Sequence, residues 1–318
     1  MLPPLSTQSR TYDVIGLGES SVDLLLTMER FPEPDGKMRA LEQARQPGGQ
    51  IATAIRAVAR LGWRAAFAGS VGDDADGLLL HDALRSDGVD VSASPRVRGA
   101  TTRSAVILVD RARGTRSVIE HRDPALNLPV TTLPGAALSA SRVLLVDGTD
   151  LVAAVGAARV ARAAGVRVVV DVDEAVGDGG DLLRLADVVI TSEGFVKRVG
   201  LGSVDAGLAA LAEACPGAAL VCATLGRRGA RGRSAGSWVA VPAFEAPCVD
   251  STGAGDVFRA GFIAAWLGAQ GGPDAADALR HGCAAAALSC AATGAQGSLP
   301  TAREVQALLD SGRVVTTI

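Results

Sequence analysis

The chain has 318 residues, with 31 basic and 34 acidic side chains and a net charge of −3, and it shows no basic block. This balance argues against a nucleic-acid partner, and no apolar run is long enough to predict a membrane span. The five cysteines form no Cys-x-x-Cys pair and the three histidines no ligand cluster, so we expect neither structural zinc nor disulfides, but a reducing, cytoplasmic compartment.

Two short apolar strands are predicted near the N-terminus. Residues 13–18 form an apolar run that ends in glycine, and a second run begins at Ser21. Asp23 lies early in this second run. A carboxylate there needs a partner or a ligand, because an unpaired buried charge is costly. The alternative is an ordinary strand-end aspartate in a turn.

A helix is predicted after the loop Gln46-Pro47-Gly48-Gly49-Gln50. Apolar residues recur at helical spacing over 51–61, and Gly62 then ends the pattern. Paired glycines allow the backbone to approach a ligand closely. Taken alone, the pair would favour a plain strand-to-helix turn.

Residues 98–122 alternate in polarity, which is typical of a β-hairpin, with a turn at Arg113-Gly114. Together with the segments around 22–28 and 37–46, this hairpin could form a small sheet apart from the main one. Glu120 and Arg122 either point into a binding site or belong to a solvated strand face.

From about residue 140 onwards, short strands alternate with helices. This order predicts a doubly wound, mostly parallel sheet. Ligands bind such sheets at the carboxyl ends of the strands. Several polar residues fall at predicted strand ends, although each could be a cap or turn residue. They are Asp147, Asp171, Asp173, Ser192 and Thr224.

The sequence Gly253-Ala254-Gly255-Asp256 precedes an apolar run with helical spacing. Small residues at a helix N-terminus expose unpaired N–H groups to an anion. Asp256 would lie in the first turn beside that anion, where a carboxylate can accept a hydroxyl proton during phosphoryl transfer. The alternative is a glycine-tolerant turn with an ordinary N-terminal carboxylate.

The longer string from Asp250 to Phe262 closely resembles the C-terminal signature of the ribokinase (PfkB) family of carbohydrate kinases. Residues 48–62 and 69–77 resemble the family's N-terminal signature, and the resemblance covers roughly 12–310. It implies one ribokinase-like α/β domain over 1–318, with a doubly wound, mostly parallel sheet flanked by helices. It also implies a small antiparallel β lid from approximately 20–47 and 98–123.

The resemblance further implies ATP-dependent phosphorylation of a small sugar hydroxyl. Its expected catalytic residues are the base Asp256 and the anion hole Gly253, Ala254 and Gly255. The expected sugar-binding residues are Asp23, Lys37, Gly48, Gly49, Gln50 and Asp256. The expected nucleotide-binding residues are Ser192, Thr224, Gly226, Gly229, Gly253 and Gly255. ATP and Mg²⁺ are the implied cofactors, with activation by a monovalent cation such as K⁺ in some relatives. The lids of relatives often serve as homodimer interfaces.

Two positions depart from the family pattern. Thr53 stands where relatives commonly carry an asparagine that contacts the substrate. Ser192 and Phe195 stand where many relatives have the Asn and Glu of an Asn-x-x-Glu motif that helps to place magnesium. Glu193 could substitute, but from a different position on the turn, so the metal ligands cannot be assigned from the sequence.

Two alternatives to a sugar kinase remain open. A nucleoside kinase of the same fold would favour an aromatic side chain that stacks on the base, and the chain has only ten aromatic residues (six Phe, three Trp, one Tyr). A non-catalytic sugar-binding relative would fit the altered Thr53 and Ser192 positions. The intact Gly-Ala-Gly-Asp sequence argues against this second alternative.

Overall fold

Alternating strands and helices build three layers, with one large sheet between two sets of helices. The computed structural model describes residues 1–113, 115–173 and 180–315. The strands are β1 Tyr12–Leu17, β2 Ser21–Met28, β3 Glu42–Gly48, β4 Ala65–Phe67, β5 Val71–Gly72, β6 Arg96–Val97, β7 Ser104–Asp110, β8 Thr115–His121, β9 Ser141–Val146, β10 Arg167–Val172, β11 Val188–Ser192, β12 Leu220–Thr224, β13 Ala230–Ser234 and β14 Ser237–Val241.

The helices connect these strands and cover both faces of the sheet. They are α1 Gln50–Arg60, α2 Ala75–Ser86, α3 Gly135–Ser139, α4 Leu151–Ala163, α5 Gly180–Leu185, α6 Glu193–Val199, α7 Val204–Ala214, α8 Ala254–Gly268, α9 Ala275–Ser289 and α10 Ala302–Ser311. Among the helices of the described residues, none combines the length and hydrophobicity needed to cross a bilayer.

The main sheet has eight strands in the order β14-β13-β12-β11-β10-β9-β1-β4. Every pair from β12 to β4 is parallel, whereas β13 and β14 add antiparallel strands at one edge. The predicted doubly wound, mostly parallel sheet is therefore confirmed. The sequence analysis did not identify the β13–β14 hairpin.

Alternate side chains of each central strand enter opposite hydrophobic cores. On one face, Val169 and Ile190 pack in the same core as Phe258 and Trp266 of α8. On the other face, Val170 belongs to a core that includes alanines of α4. Because α8 is buried over most of its length, its first turn is held at a fixed place above the sheet.

The predicted lid is a second, four-stranded sheet in the order β3-β2-β7-β8, here called the lid sheet. Its outer pairs are antiparallel, as predicted, but its central pair β2–β7 is parallel. The sheet is therefore mixed, and its two halves come from chain segments separated by α1, β4, β5, α2 and β6. The β8 side chains are exposed along the whole strand.

Candidate active site

Helix α8 begins at a turn that only glycine adopts easily. Gly253 is its N-cap in the left-handed conformation, with φ 75°. A Cβ atom on Gly253 would also lie 2.6 Å from the carbonyl oxygen of Ala295. The loop before the helix is held by Asp250, whose Oδ1 accepts the Thr252 N–H at 2.9 Å and whose Oδ2 accepts the Gly294 N–H at 2.7 Å. Asp250 therefore holds the turn before α8 both to its own loop and to the loop at Gly294.

Two backbone N–H groups in the first turn of α8 remain open, and one of them, that of Gly255, belongs to the predicted anion hole. The Ala254 N–H donates to the Ser251 carbonyl at 3.2 Å, so it is engaged within the turn. Within the described part of the chain, the N–H groups of Gly255 and Asp256 have no acceptor within hydrogen-bond range. They lie at the positive end of the α8 dipole, which is where an anion is favoured.

Asp256 lies in the first turn of α8 and is 9% exposed. Burial raises the pKa of its carboxyl well above the ordinary value, since the charged form loses hydration, and Arg259 opposes this rise. The Nη1 atom of Arg259 lies 3.7 Å from Oδ1 of Asp256. The carboxyl is therefore shielded from water and has a cation as its close neighbour.

Asp23 lies on β2 and packs directly against the glycine loop. A Cβ atom on Gly48 would lie 2.1 Å from Oδ2 of Asp23, so only glycine fits without displacing the carboxylate. Gly49 has φ +89° and packs against Ser20. The Ser21 hydroxyl donates to Asp23 at 2.7 Å, while burial raises the pKa of the Asp23 carboxyl.

The two halves of the predicted site meet through Gln50. Its Nε2 donates to Oδ2 of Asp173 at 2.8 Å, just after β10. The other carboxylate oxygen of Asp173 lies 3.6 Å from the guanidinium of Arg259. The loop that contains Gly48 and Gly49 is thus linked to the first turns of α8. Lys37 is exposed in the connection between β2 and β3, so its role stays a prediction.

The predicted nucleotide-binding residues lie along the same carboxyl edge of the sheet. Ser192 and Thr224 are paired neighbours at the ends of β11 and β12. Gly226 and Gly229 adopt left-handed conformations with φ 56° and 84°. A Cβ atom on Gly229 would lie 2.0 Å from the Val241 carbonyl oxygen, so the loop requires glycine there.

The hypothesis that Glu193 replaces the missing magnesium-site glutamate is not supported by its contacts. Glu193 forms ion pairs with Lys197 and, at 2.7 Å, with Arg228, and these lower the pKa of its carboxyl. The Ser192 hydroxyl accepts the Phe195 N–H as the cap of α6. No cluster of three or more acidic, His or Cys side chains able to hold a metal ion occurs in the described residues.

A buried charge network beneath the lid sheet was not identified from the sequence. Arg103, just before β7, pairs with the half-buried Glu19, at 2.6 Å, and with the exposed Glu120 on β8. The Glu19 N–H donates to Asp147, and burial raises the pKa of the Glu19 carboxyl to about 7. Of the two residues predicted to enter the site or to lie on a solvated strand face, Glu120 forms an ion pair with Arg103. Arg122 donates a hydrogen bond to the side-chain oxygen of Asn127.

Thr53, the departure noted above, is fully buried on α1. Its hydroxyl accepts a hydrogen bond from Nε2 of Gln296 at 2.9 Å, so an amide is supplied from another part of the chain. No sequence pattern indicated this contact or the burial of Arg259, because both depend on pairing between residues far apart in the chain.

Known sugar kinases resemble this chain in sequence over most of its length. Residues 12–302 match the family described as pfkB family carbohydrate kinase. The chain is 33% identical to an ATP-dependent ribose-1-phosphate kinase of Halopiger xanaduensis, over 93% of this chain and 97% of the relative. It is 29% identical to a ribokinase of Haemophilus influenzae, over 92% and 97%.

Solved structures of similar fold include a ribokinase-like protein. The crystal structure of a putative ribokinase from Agrobacterium tumefaciens superposes with a TM-score of 0.86 at 26% identity, covering 95% of this chain and 98% of that one. The family match spans both signatures, the lid sheet and the main sheet. The chain therefore belongs to the pfkB family of carbohydrate kinases.

Proposed function

We propose that the protein transfers the γ-phosphoryl group of ATP to a hydroxyl of a small sugar, with Asp256 as the base. The observation that carries this assignment is the first turn of α8. There, a buried carboxylate and two open backbone N–H groups lie side by side at the positive end of a helix dipole. Such a turn can accept a proton and stabilise an anion at the same place.

The sugar lies against Asp23, Gly48, Gly49 and Gln50 in this proposal. Asp23 is a buried carboxylate that, among the described residues, accepts a side-chain hydrogen bond from Ser21 alone, so it can accept further hydrogen bonds from sugar hydroxyls. The paired glycines allow close approach of the backbone. Lys37 lies in the exposed loop between β2 and β3 and would have to reach the site from there. We assign it to substrate binding as well, although no contact in the described residues holds it in place.

In the chemical step, the substrate hydroxyl loses its proton to Asp256 and its oxygen attacks the γ-phosphorus. The bond from this phosphorus to the bridging oxygen breaks, and ADP leaves. The N–H groups of Gly255 and Asp256 hold the negative charge on the transferring oxygens. Gly253 provides the turn, and Ala254 keeps the first turn of the helix free of bulky side chains.

The nucleotide is placed along the ends of β11 and β12, at Ser192, Thr224, Gly226 and Gly229. Magnesium usually binds proteins through one or two carboxylates together with substrate phosphates. The lack of a three-ligand cluster in the described residues fits an ion carried mainly by the phosphates of ATP, where it would neutralise charge. Activation by a monovalent cation such as K⁺ is a further part of the proposal.

The lid sheet supports two more parts of the proposal. Closure of the lid over the sugar would exclude water and limit ATP hydrolysis. The exposed β8 carries Val118 and Ile119, which are 52% and 61% exposed, and these side chains suit a homodimer interface through the lid. We place the reaction in the cytoplasm, where ATP is available and the five free cysteines remain reduced.

The test is magnesium-dependent ADP release with ketoses, aldoses, sugar acids, phosphorylated sugars and nucleosides. Because two relatives are named for ribose or its 1-phosphate, pentoses and pentose phosphates come first in this panel. Turnover of one sugar, lost on Asp256→Asn, would support the proposal. Turnover of nucleosides alone would replace it, and sugar binding without ADP release would indicate a non-catalytic relative.

A further inference from the structure

Arg259 is a buried cation that the reaction described above does not use. It lies one turn after Asp256 on α8, and its side chain is 2% exposed. One nitrogen, Nη2, pairs closely with Asp171 and lies 3.6 Å from Asp173, while Nη1 lies 3.7 Å from Asp256. The guanidinium therefore stands between the end of β10 and the predicted base.

The same guanidinium packs beneath the anion hole. A Cβ atom on Gly255 would lie 2.8 Å from Nη1 of Arg259, so a larger residue at this position would press on the cation. The glycine thus serves two purposes. It leaves the N–H groups accessible, and it makes room for a positive charge directly under the first turn of α8.

Stability alone does not account for this arrangement. Burying an ion pair costs desolvation energy that offsets much of the attraction, so such a pair adds little net stability. The pairing is also incomplete within the described residues, because Oδ2 of Asp171, Oδ1 of Asp173 and Nε of Arg259 have no hydrogen-bond partner there. Three carboxylates therefore share one guanidinium.

We propose that Arg259 is a positioning residue that keeps Asp256 ionised and oriented for proton transfer, with Asp171 and Asp173 as its anchors. This inference rests on the proposed function. At 3.7 Å the guanidinium attracts the carboxylate but is too far away to occupy its lone pairs with a normal hydrogen bond. The carboxylate oxygens stay free to accept the proton of the substrate.

The charges around Asp256 determine the direction of the effect. Asp171 and Asp173 at the end of β10 and Glu19 after β1 all raise the pKa of Asp256, as burial does. Arg259 carries the positive charge that lowers the pKa of Asp256. Its charge also acts on the buried Cys222 thiol on β12, whose pKa it lowers. Removal of Arg259 therefore raises the pKa of the base, so a smaller fraction is ionised at a given pH.

The test compares Arg259→Gln with Asp171→Asn. Both variants break the same ion pair between α8 and β10, but they change the charge near Asp256 in opposite directions. We expect Arg259→Gln to move the acid limb of kcat/KM upward by about one to three pH units, because a cation at this distance shifts a carboxyl pKa by that amount. Below the limb, kcat/KM falls about 10- to 1,000-fold and recovers at high pH.

Asp171→Asn is the matched control, and its acid limb should stay in place or move downward. Arg259→Lys keeps the charge and should keep the limb close to that of the unmodified enzyme. If Arg259→Gln does not fold, the double variant with Asp171→Asn is compared with Asp171→Asn alone. In that background the loss of Arg259 should still raise the limb. A limb that moves alike in both single variants, or in none, would overturn the proposal.

A second readout does not need turnover. Because burial raises the pKa of Asp256 in the folded chain, its ionisation lowers the free energy of unfolding as pH rises, and Asp256→Asn removes this dependence. The pH at which the stability difference between the two chains levels off reports the folded pKa. It should be higher in an Arg259→Gln background. Failure of all sugars to react would refute the proposed function, whereas an unmoved titration would refute this inference alone.

Discussion

At the first turn of α8 the candidate site is built from backbone, whereas beneath the lid sheet it is built from buried charged side chains. The α8 end depends on Gly253 and on open N–H groups. The lid end depends on Glu19 and Arg103, which join the main sheet to β7. A backbone site is insensitive to most side-chain changes but fails when a Cβ atom is added. A charge network responds to pH and to the loss of one partner.

The largest effect on the catalytic rate is expected at Asp256. This residue belongs to the first turn of α8, and the charge of Glu19 also acts on it. Asp256→Asn keeps the size of the side chain but removes the proton acceptor. We expect kcat to fall by on the order of 10² to 10⁴, with the fold retained, since general-base catalysis contributes about that factor. Steady-state ADP release and a thermal melt check the two expectations. A variant that is folded and nearly as fast as the parent would exclude Asp256 as the base.

The glycine loop beside Asp23, the proposed sugar site, should be the next most sensitive place. Gly48→Ala puts a Cβ atom 2.1 Å from Oδ2 of Asp23, so the carboxylate must move. We expect kcat/KM for the sugar to fall about 10- to 100-fold, equivalent to roughly 1–3 kcal/mol of overpacking. The KM for ATP should change little, because the proposed nucleotide site lies at the ends of other strands.

Gly217→Ala is the control for this substitution, because no atom lies within 4 Å of the added Cβ there. It should leave both kinetic constants unchanged. If kcat/KM for the sugar falls equally in Gly48→Ala and Gly217→Ala, or does not fall in Gly48→Ala, then Asp23 does not bind the sugar.

The sequence predicted the glycines of the candidate site and several of its carboxylates, but not Glu19 or the arginines that pair with them, Arg103 and Arg259. A glycine before a helical run is a local signal, so Gly253 could be placed without knowledge of the fold. Gly229, which precedes strand β13, was predicted only from the resemblance to the family. Arg259 looks like any polar residue on a helix until β10 is placed against it. The parallel pairing of β2 with β7 likewise depends on tertiary contacts that hydrophobic alternation does not encode.

A smaller effect is expected at the nucleotide loop. Gly229→Ala combines a strained φ of +84° with a Cβ only 2.0 Å from the Val241 carbonyl oxygen. We expect the KM for ATP to rise roughly tenfold, about 1.4 kcal/mol, with little change for the sugar. Gly236→Ala has nearly the same φ, +80°, but open space around the added atom, so it measures strain alone. Similar KM values for ATP in the two variants would argue against this loop as the nucleotide site.

The last effect concerns stability, and it leaves the catalytic rate unchanged. The pKa of Glu19 is raised to about 7 from an ordinary value of 4.5, chiefly by burial. The protonated form therefore suits the folded state, and folding loses stability as pH rises from 4.5 to about 7. Glu19→Gln resembles the protonated form and lacks this loss. Its free energy of unfolding should rise relative to the parent across that window, by at most a few kcal/mol.

Denaturant melts at several pH values across this window measure the difference. Arg103 works against the rise, because its attraction favours the ionised carboxyl, so Arg103→Met should steepen the pH dependence of the parent chain. If the free energies of unfolding of the parent and of Glu19→Gln differ by a constant amount between pH 4.5 and about 7, Glu19 is ionised in the folded state over this range. The attraction of Arg103 would then outweigh desolvation, and the ion pair would hold the lid sheet to the main sheet at every pH tested.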